Sequence, residues 1–175
     1  ASVLIHPFPA GGAYYKPGEG GETVISVVEG KRLKTQRDLA GEQRNAEAVS
    51  NQCPVLLHYE PEFGEWLIDE PQDCLELLLQ LKQLGDDVVI EWPEGEAFKV
   101  SRQLGSGDFK FDVRRKQDWF AASGELRVSD NQVVDLQQLL RLLEKTPGQF
   151  VPMDNGEFLA LTDEVRQRVK TLSRL

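Results

Sequence analysis

The chain has 175 residues, 40% of them hydrophobic and 28% charged, which excludes a disordered polymer and fits a globular protein able to bury about 70% of its unfolded surface. Its formal net charge of -9 opposes any partner that is itself a polyanion, since DNA is held largely through phosphates neutralised by lysine and arginine. No apolar run approaches the roughly 18 residues of a membrane-spanning helix, and the amino terminus lacks the basic-then-apolar pattern of a secretory signal, so a cytoplasmic protein with no membrane partner is expected.

Residues 1–22 are dense in glycine and proline (Pro7, Pro9, Gly11, Gly12, Pro17, Gly18, Gly20, Gly21) and predict an irregular lead-in. Gly18-Glu19-Gly20-Gly21 is read as a structural turn. A phosphate cradle would not carry Glu19 and Glu22, and a β-branched run follows it where an anion-binding helix would have to begin. That run, Thr23 to Val28, predicts a strand closed by Glu29-Gly30. After a basic connector, Arg37 to Ser50 has helix-forming composition with a narrow apolar stripe at Leu39, Ala46 and Val49. Pro54 ends it, and Val55-Leu56-Leu57 reads as a short strand. Glu65-Trp66-Leu67-Ile68-Asp69-Glu70 imitates the magnesium-binding strand of ATPases, but no Gly-x-x-x-x-Gly-Lys-Ser/Thr loop occurs anywhere in the chain. The plainer reading is a helix start with Pro71 at its first position, running through Leu75, Leu78, Leu79, Leu81 and Leu84 to Gly85.

Asp87 to Trp92 then reads as a strand, Pro93-Glu94-Gly95-Glu96 as a turn and Ala97 to Val100 as its return. Phe98 to Leu104 and Asp108 to Arg115 read as antiparallel strands about Gly105-Ser106-Gly107, with Phe109, Phe111 and Val113 on one side. Asp135 caps a helix carrying Leu136, Leu139, Leu140, Leu142 and Leu143, which stops at Thr146-Pro147-Gly148. Phe150 to Met153 and Phe158 to Leu161 predict a hairpin about Asp154-Asn155-Gly156, and Thr162 caps a closing helix. Leu75, Leu78, Leu79 and Leu81 recur at constant offset as Leu136, Leu139, Leu140 and Leu142, and Gly95-Glu96 as Gly156-Glu157, which predicts an internal duplication of a helix plus β-hairpin unit. The expected fold class is α+β, with antiparallel sheets and packed helices. The expected organisation is a lead-in over 1–22 and one domain over 23–175, with halves 23–104 and 105–175. The chain starts without a methionine and ends inside a helical pattern, and it reads as a piece of something longer.

Candidate chemistry is sparse. Cys53 and Cys74 are too few for a disulfide framework and read as free thiols, and Cys53 with His58 lacks the paired spacing of a zinc site. Trp66, Trp92 and Trp119 lie beside predicted strands among acids and read as core. Basic residues gather at Lys31, Arg32, Lys34, Arg37 and Arg44, at Arg114-Arg115-Lys116, and at Arg166, Arg168, Lys170 and Arg174. Each cluster reads first as a solvated face, and the first two are the candidate contacts for nucleic acid or a protein partner.

Certain segments carry a resemblance: Pro7-Phe8-Pro9, Tyr15 with Pro17-Gly18-Glu19-Gly20, Arg37-Asp38-Leu39 with Glu42, Cys53-Pro54, Glu91-Trp92-Pro93 with Gly95-Glu96, Asp118-Trp119-Phe120 with Gly124-Glu125-Leu126, and Gly156 with Phe158-Leu159-Ala160-Leu161. Together they resemble the accessory, helicase-associated region that precedes the ATPase core in bacterial helicases of the Snf-two type. The resemblance implies a parent protein that uses ATP and magnesium to translocate on duplex DNA, with the ATPase lobes of the same polypeptide as partners and DNA reached through the parent. It implies no catalytic, cofactor-binding or metal-binding residue here, because the phosphate loop, the Asp-Glu box and the arginine motifs of that family belong to lobes outside this sequence. It leaves two readings open: a non-catalytic domain that docks on or modulates those lobes, or a DNA-binding module using Arg32, Lys34, Arg37, Arg44, Arg114, Arg115 and Lys116. A free-standing enzyme would need His58, Cys53 and carboxylates gathered within hydrogen-bonding reach.

Overall fold

The computed structural model describes residues 1–92, 97–116, 119–130, 132–146, 148–153 and 155–172, and for 113–116 and 119–122 it describes the backbone alone. Contacts divide the chain into two units, Ala1–Val88 and Val89–Leu175, which moves the expected boundary after residue 104 back to residue 88.

The first unit opens with the irregular lead-in, which is folded back on itself and onto the first strand: Ile5 pairs with Tyr15, and Phe8 is buried against Val24 and Val28. Strand β1 (Thr23–Val28) forms as its β-branched composition predicts. Lys31 to Gln36, expected as a connector, is instead strand β2 (Lys31–Gln36), paired antiparallel with β1 from Thr23↔Gln36 to Val28↔Lys31. Glu29 (φ 51) and Gly30 (φ 76) both sit in the left-handed region, which is the backbone of a two-residue primed hairpin turn. Asn-Gly or Asp-Gly would have announced that turn, and Glu-Gly hides it.

Helix α1 (Leu39–Asn51) starts at the N-cap Asp38, whose carboxylate accepts the Gly41 amide at 3.0 Å, and it contains no fully buried residue. Residues 54–58 are a 3-10 turn where a strand was expected. Pro54 sets a helical φ, and the Leu56 amide closes on the Cys53 carbonyl at 2.9 Å. Helix α2 (Pro71–Gln83) has Pro71 in its first turn and ends at Gly85 (φ 66), as read from the sequence. It buries Leu75, Leu77, Leu78 and Leu79, and Leu77 joins Cys53, Val55 and Leu56 in a core cluster against which Trp66, Ile68, Leu81 and Leu84 pack.

Where the chain passes from the first unit to the second, residues 88–91 alternate in burial but 88–92 join no ladder, so the strand expected there is absent. Strand β3 (Lys99–Leu104) does not fold back on the next strand either. The amide of Gly105 and the guanidinium of Arg102 both hold the Asp108 carboxylate, tightening 106–108 into a 3-10 turn that redirects the chain. Strand β4 (Phe109–Lys116) then pairs with β5 (Trp119–Ser129), which pairs with β6 (Gln132–Asp135). Helix α3 (Leu136–Lys145) comes next, its cap being the Asp135 carboxylate accepting the Gln138 amide at 2.8 Å. Strands β7 (Phe150–Pro152) and β8 (Glu157–Leu161) form the expected hairpin, and β8 also pairs with β3 in parallel, giving the order β3-β8-β7. Only Gly156 (φ 77) is left-handed among the described turn residues, and its amide closes on the Met153 carbonyl, so the loop is one residue longer than a two-residue Asn-Gly turn; Asp154 lies outside the described residues. Helix α4 (Asp163–Leu172) begins where the Thr162 hydroxyl accepts the Val165 amide.

The architecture is α+β, with packed helices on largely antiparallel sheets. Both leucine helices of the expected duplication form, but only α3 leads into a hairpin. Residues 88–92 and 97–98 carry no strand, and the Pro93–Glu96 echo falls outside the described residues. No helix among the described residues is long and apolar enough to cross a membrane. Leu139 of α3 is fully buried in a core shared by Leu104, Leu126, Leu159, Leu161 and Val165. Leu139→Ala is expected to cost about 3 kcal/mol, read as faster exchange of the Leu159 and Leu161 amides with the first unit's amides unchanged.

Candidate interaction surface

Strand pairing sorts the first basic cluster. Directly opposed residues of an antiparallel pair share a face, so Thr23, Ile25 and Val27 lie with Gln36, Lys34 and Arg32, all exposed. Val24, Ser26 and Val28 lie on the other face with Thr35, Leu33 and Lys31, and Val24 and Val28 are buried there against Phe8. Arg32 and Lys34 are thus brought together, while Lys31 is placed on the opposite face.

Arg37 is not part of any solvated face. Its side chain is 1% exposed, and it grips Glu42 with two hydrogen bonds, Nε to Oε1 at 2.9 Å and Nη2 to Oε2 at 2.6 Å. Nη1 also donates to the Glu19 carbonyl (2.8 Å) and Nη2 to the Lys16 carbonyl (3.1 Å), and the guanidinium lies 4.7 Å from the Tyr15 ring centroid. The hydrogen bonds from Arg37 hold the Glu42 carboxyl below its ordinary range against the opposing effect of burial, with help from the Gly18 amide, and Glu42 in turn raises Arg37. Gly18 (φ 73) lies so close to α1 that an added Cβ would meet the Leu39 carbonyl at 3.3 Å. The expectation that Arg37 belongs to a basic contact surface is therefore corrected. A buried cation with each guanidinium nitrogen already bonded within the fold is not placed to meet phosphate.

Arg44 is exposed on α1 and lies 3.9 Å from Asp38. Arg114, Arg115 and Lys116 sit on β4 opposite Ala121, Phe120 and Trp119, and their side chains lie outside the described ones. In the closing helix, Arg166 pairs with Asp163 and Arg168 with Glu164, so those cations are neutralised locally; Arg174 lies outside the described residues. Trp66 packs into the core as expected, whereas Trp92 is 41% exposed and meets Phe98 edge-on with ring centroids 6.1 Å apart.

Cys53 and His58 stand in different settings, one buried and one exposed. Cys53 is fully buried, and burial pushes its thiol up, away from the thiolate; Cys74 is pushed the same way, again chiefly by burial. His58 is exposed, with Nδ1 3.7 Å from Asp73, and Asp73 also accepts the Tyr59 hydroxyl at 2.8 Å. Desolvation and then this carboxylate push Tyr59 up to about 12. An open groove of about 580 Å³ is lined by Lys16, Gln43, Glu47, Phe63 and Trp66, and it contains neither His58 nor Cys53. Among the described residues no group of three or more His, Cys, Asp or Glu is placed to hold a metal ion.

Set beside family models, curated proteins and solved structures, the chain matches none of them. Sequence reasoning missed β2 and the Arg37–Glu42 pair. Arg37 precedes the N-cap, so its partnership with Glu42 has no helical spacing to reveal it.

Arg37→Met and Glu42→Met are each expected to cost about 3 kcal/mol, because either leaves a buried charge without its partner, while the double variant should lose less than the sum. The pair's contribution should be fully present above the unfolded carboxyl pKa of about 4.3 and be lost as pH falls through the lower folded value. Denaturant titrations at neutral and acid pH check both, and Arg37→Met should flatten the acid limb.

Proposed function

We propose that the chain is a non-catalytic accessory domain which docks on or modulates the ATPase lobes of a bacterial Snf-type DNA translocase. One observation carries the reading: several of the residues that bear the resemblance are occupied in holding the fold, although Trp92 is 41% exposed. Arg37 and Glu42 form the buried pair, Asp38 caps α1, Cys53 is fully buried, and Leu126, Leu159 and Leu161 are core. The lack of a phosphate-binding loop in the sequence supports the same view, as does an acidic balance suited to meeting basic, DNA-handling lobes. On this reading the protein needs no cofactor of its own, and ATP and magnesium act in the parent's lobes.

A second reading, a DNA-binding module, is favoured by one feature, the exposed face shared by Arg32 and Lys34. The two readings separate experimentally. Supplied to purified ATPase lobes, the domain should form a complex and change their DNA-stimulated ATP hydrolysis. Neither association nor a rate change would end the first reading. Direct DNA binding requires anisotropy of labelled duplex that falls with salt at a slope near -0.9 per neutralised phosphate, reduced by roughly two such increments in Arg32→Glu/Lys34→Glu. A flat titration at low salt ends the second.

A further inference from the structure

Two surfaces of the first unit are complementary in both charge and polarity. The outer face of the β1–β2 ribbon has an aliphatic centre, Ile25 (50% exposed) and Val27 (69%), flanked by Arg32 and Lys34 and bearing no carboxylate. Residues 57–70 show the opposite chemistry. Leu57, Phe63 and Leu67 are 80%, 89% and 85% exposed, and Glu60, Glu62, Glu65, Asp69 and Glu70 are interspersed with them along a stretch that has no lysine or arginine. Phe63 stands at a turn in the left-handed region (φ 53), which a bulky residue rarely adopts. The turn is held by reciprocal amide bonds between Glu62 and Glu65 at 2.9 Å and by Lys16 Nζ donating to the Phe63 carbonyl at 2.8 Å. The aromatic ring is therefore carried on an ordered support, which lowers the entropy lost when it is covered.

We infer that the outer face of the β1–β2 ribbon docks residues 57–70 of a second copy of this chain. The acid-flanked Phe63 and Leu67 of one copy meet Ile25 and Val27 of the other, and the flanking carboxylates meet Arg32 and Lys34. Phosphate backbones would satisfy the two cations but leave the aliphatic centre without a partner, so nucleic acid is the poorer fit. The contact joins two different surfaces, so it is head-to-tail. A contact centred on Ile25, Val27, Arg32 and Lys34 falls in the weak, transient class, and repulsion between chains of net charge -9 is screened beyond about 8 Å at physiological salt. The inference is independent of the docking on ATPase lobes, since neither lobes nor DNA enter its test.

The test uses the whole chain and two variants, Arg32→Glu/Lys34→Glu and Phe63→Ser/Leu67→Ser, each shown by circular dichroism to remain folded. By sedimentation velocity, wild type should show concentration-dependent association into the millimolar range, each variant alone should remain monomeric, and an equimolar mixture should form a dimer, because each keeps one intact face. In that mixture, isotope-labelled ribbon variant should show amide shifts confined to 57–70, and labelled Phe63→Ser/Leu67→Ser variant shifts confined to 23–36. A monomeric wild type at every concentration, or a mixture no more associated than its components, overturns the inference. Duplex DNA shifting 23–36 in a monomeric wild type also overturns it and assigns the face to nucleic acid.

Discussion

The first unit depends on one buried ion pair. Arg37 stands at the junction of β2 and α1, its amide bonded to the Glu22 carbonyl at 2.7 Å, and its side chain gathers Tyr15, Lys16 and Glu19 from the lead-in with Glu42 from the helix. The lead-in and α1 are thus tied at a single guanidinium placed at the end of β2. Desolvating such a pair is costly, and its net contribution over an apolar replacement is commonly small. What it supplies is direction. A planar guanidinium holds the carboxylate and carbonyls it meets in fixed directions, which orients the lead-in against α1. Helix α1, without a fully buried residue, could not impose that order by hydrophobic packing.

The second unit is held in the opposite way. Strand β8 is central to its sheet, with Leu159, Ala160 and Leu161 each about 1% exposed, and it is paired with β3 on one side and β7 on the other. Parallel pairing with β3 brings together segments far apart in sequence, and the Ser101 hydroxyl accepts the Ala160 amide at 3.1 Å where the ladder bulges. In β5, Gly124 lies opposite Phe111, and a Cβ there would approach the Lys110 carbonyl at 2.9 Å, so close strand packing requires the missing side chain.

Elements with strong local signals were legible: β1 from its β-branched run, α2 from Pro71 and Gly85, α3 from Asp135 and its leucines, and the β7–β8 hairpin from its loop. Those decided by partners were not. Val88 to Trp92 has strand composition but no ladder, and Val55 to Leu57 was overruled by Pro54. Strand β3 looked set to fold back on β4, yet Asp108 turned the chain away and β8 took its place. At the candidate surface, the sequence could list basic residues but not sort them. Arg32, Lys34 and Arg37 are near neighbours in the chain, and only register and burial separate two exposed cations from one that is wholly engaged.

The same topology explains why apolar side chains stand in water beside those cations. A two-stranded ribbon is marginal alone and needs one face covered. Here the lead-in covers it, through Phe8 and Tyr15 on Val24 and Val28. Strand alternation then forces Ile25 and Val27 to the far side, where the ribbon's own sheet, two-stranded among the described residues, has no third strand to meet them. A β-branched residue at those positions helps β1 remain extended whether or not it is buried, so strand propensity and solvation pull in opposite directions at Ile25 and Val27. Fold stability alone would be served as well by threonine, which is also β-branched and carries a hydroxyl for water. Aliphatic residues at both sites leave an apolar centre beside the exposed cations Arg32 and Lys34 that strand propensity alone does not require.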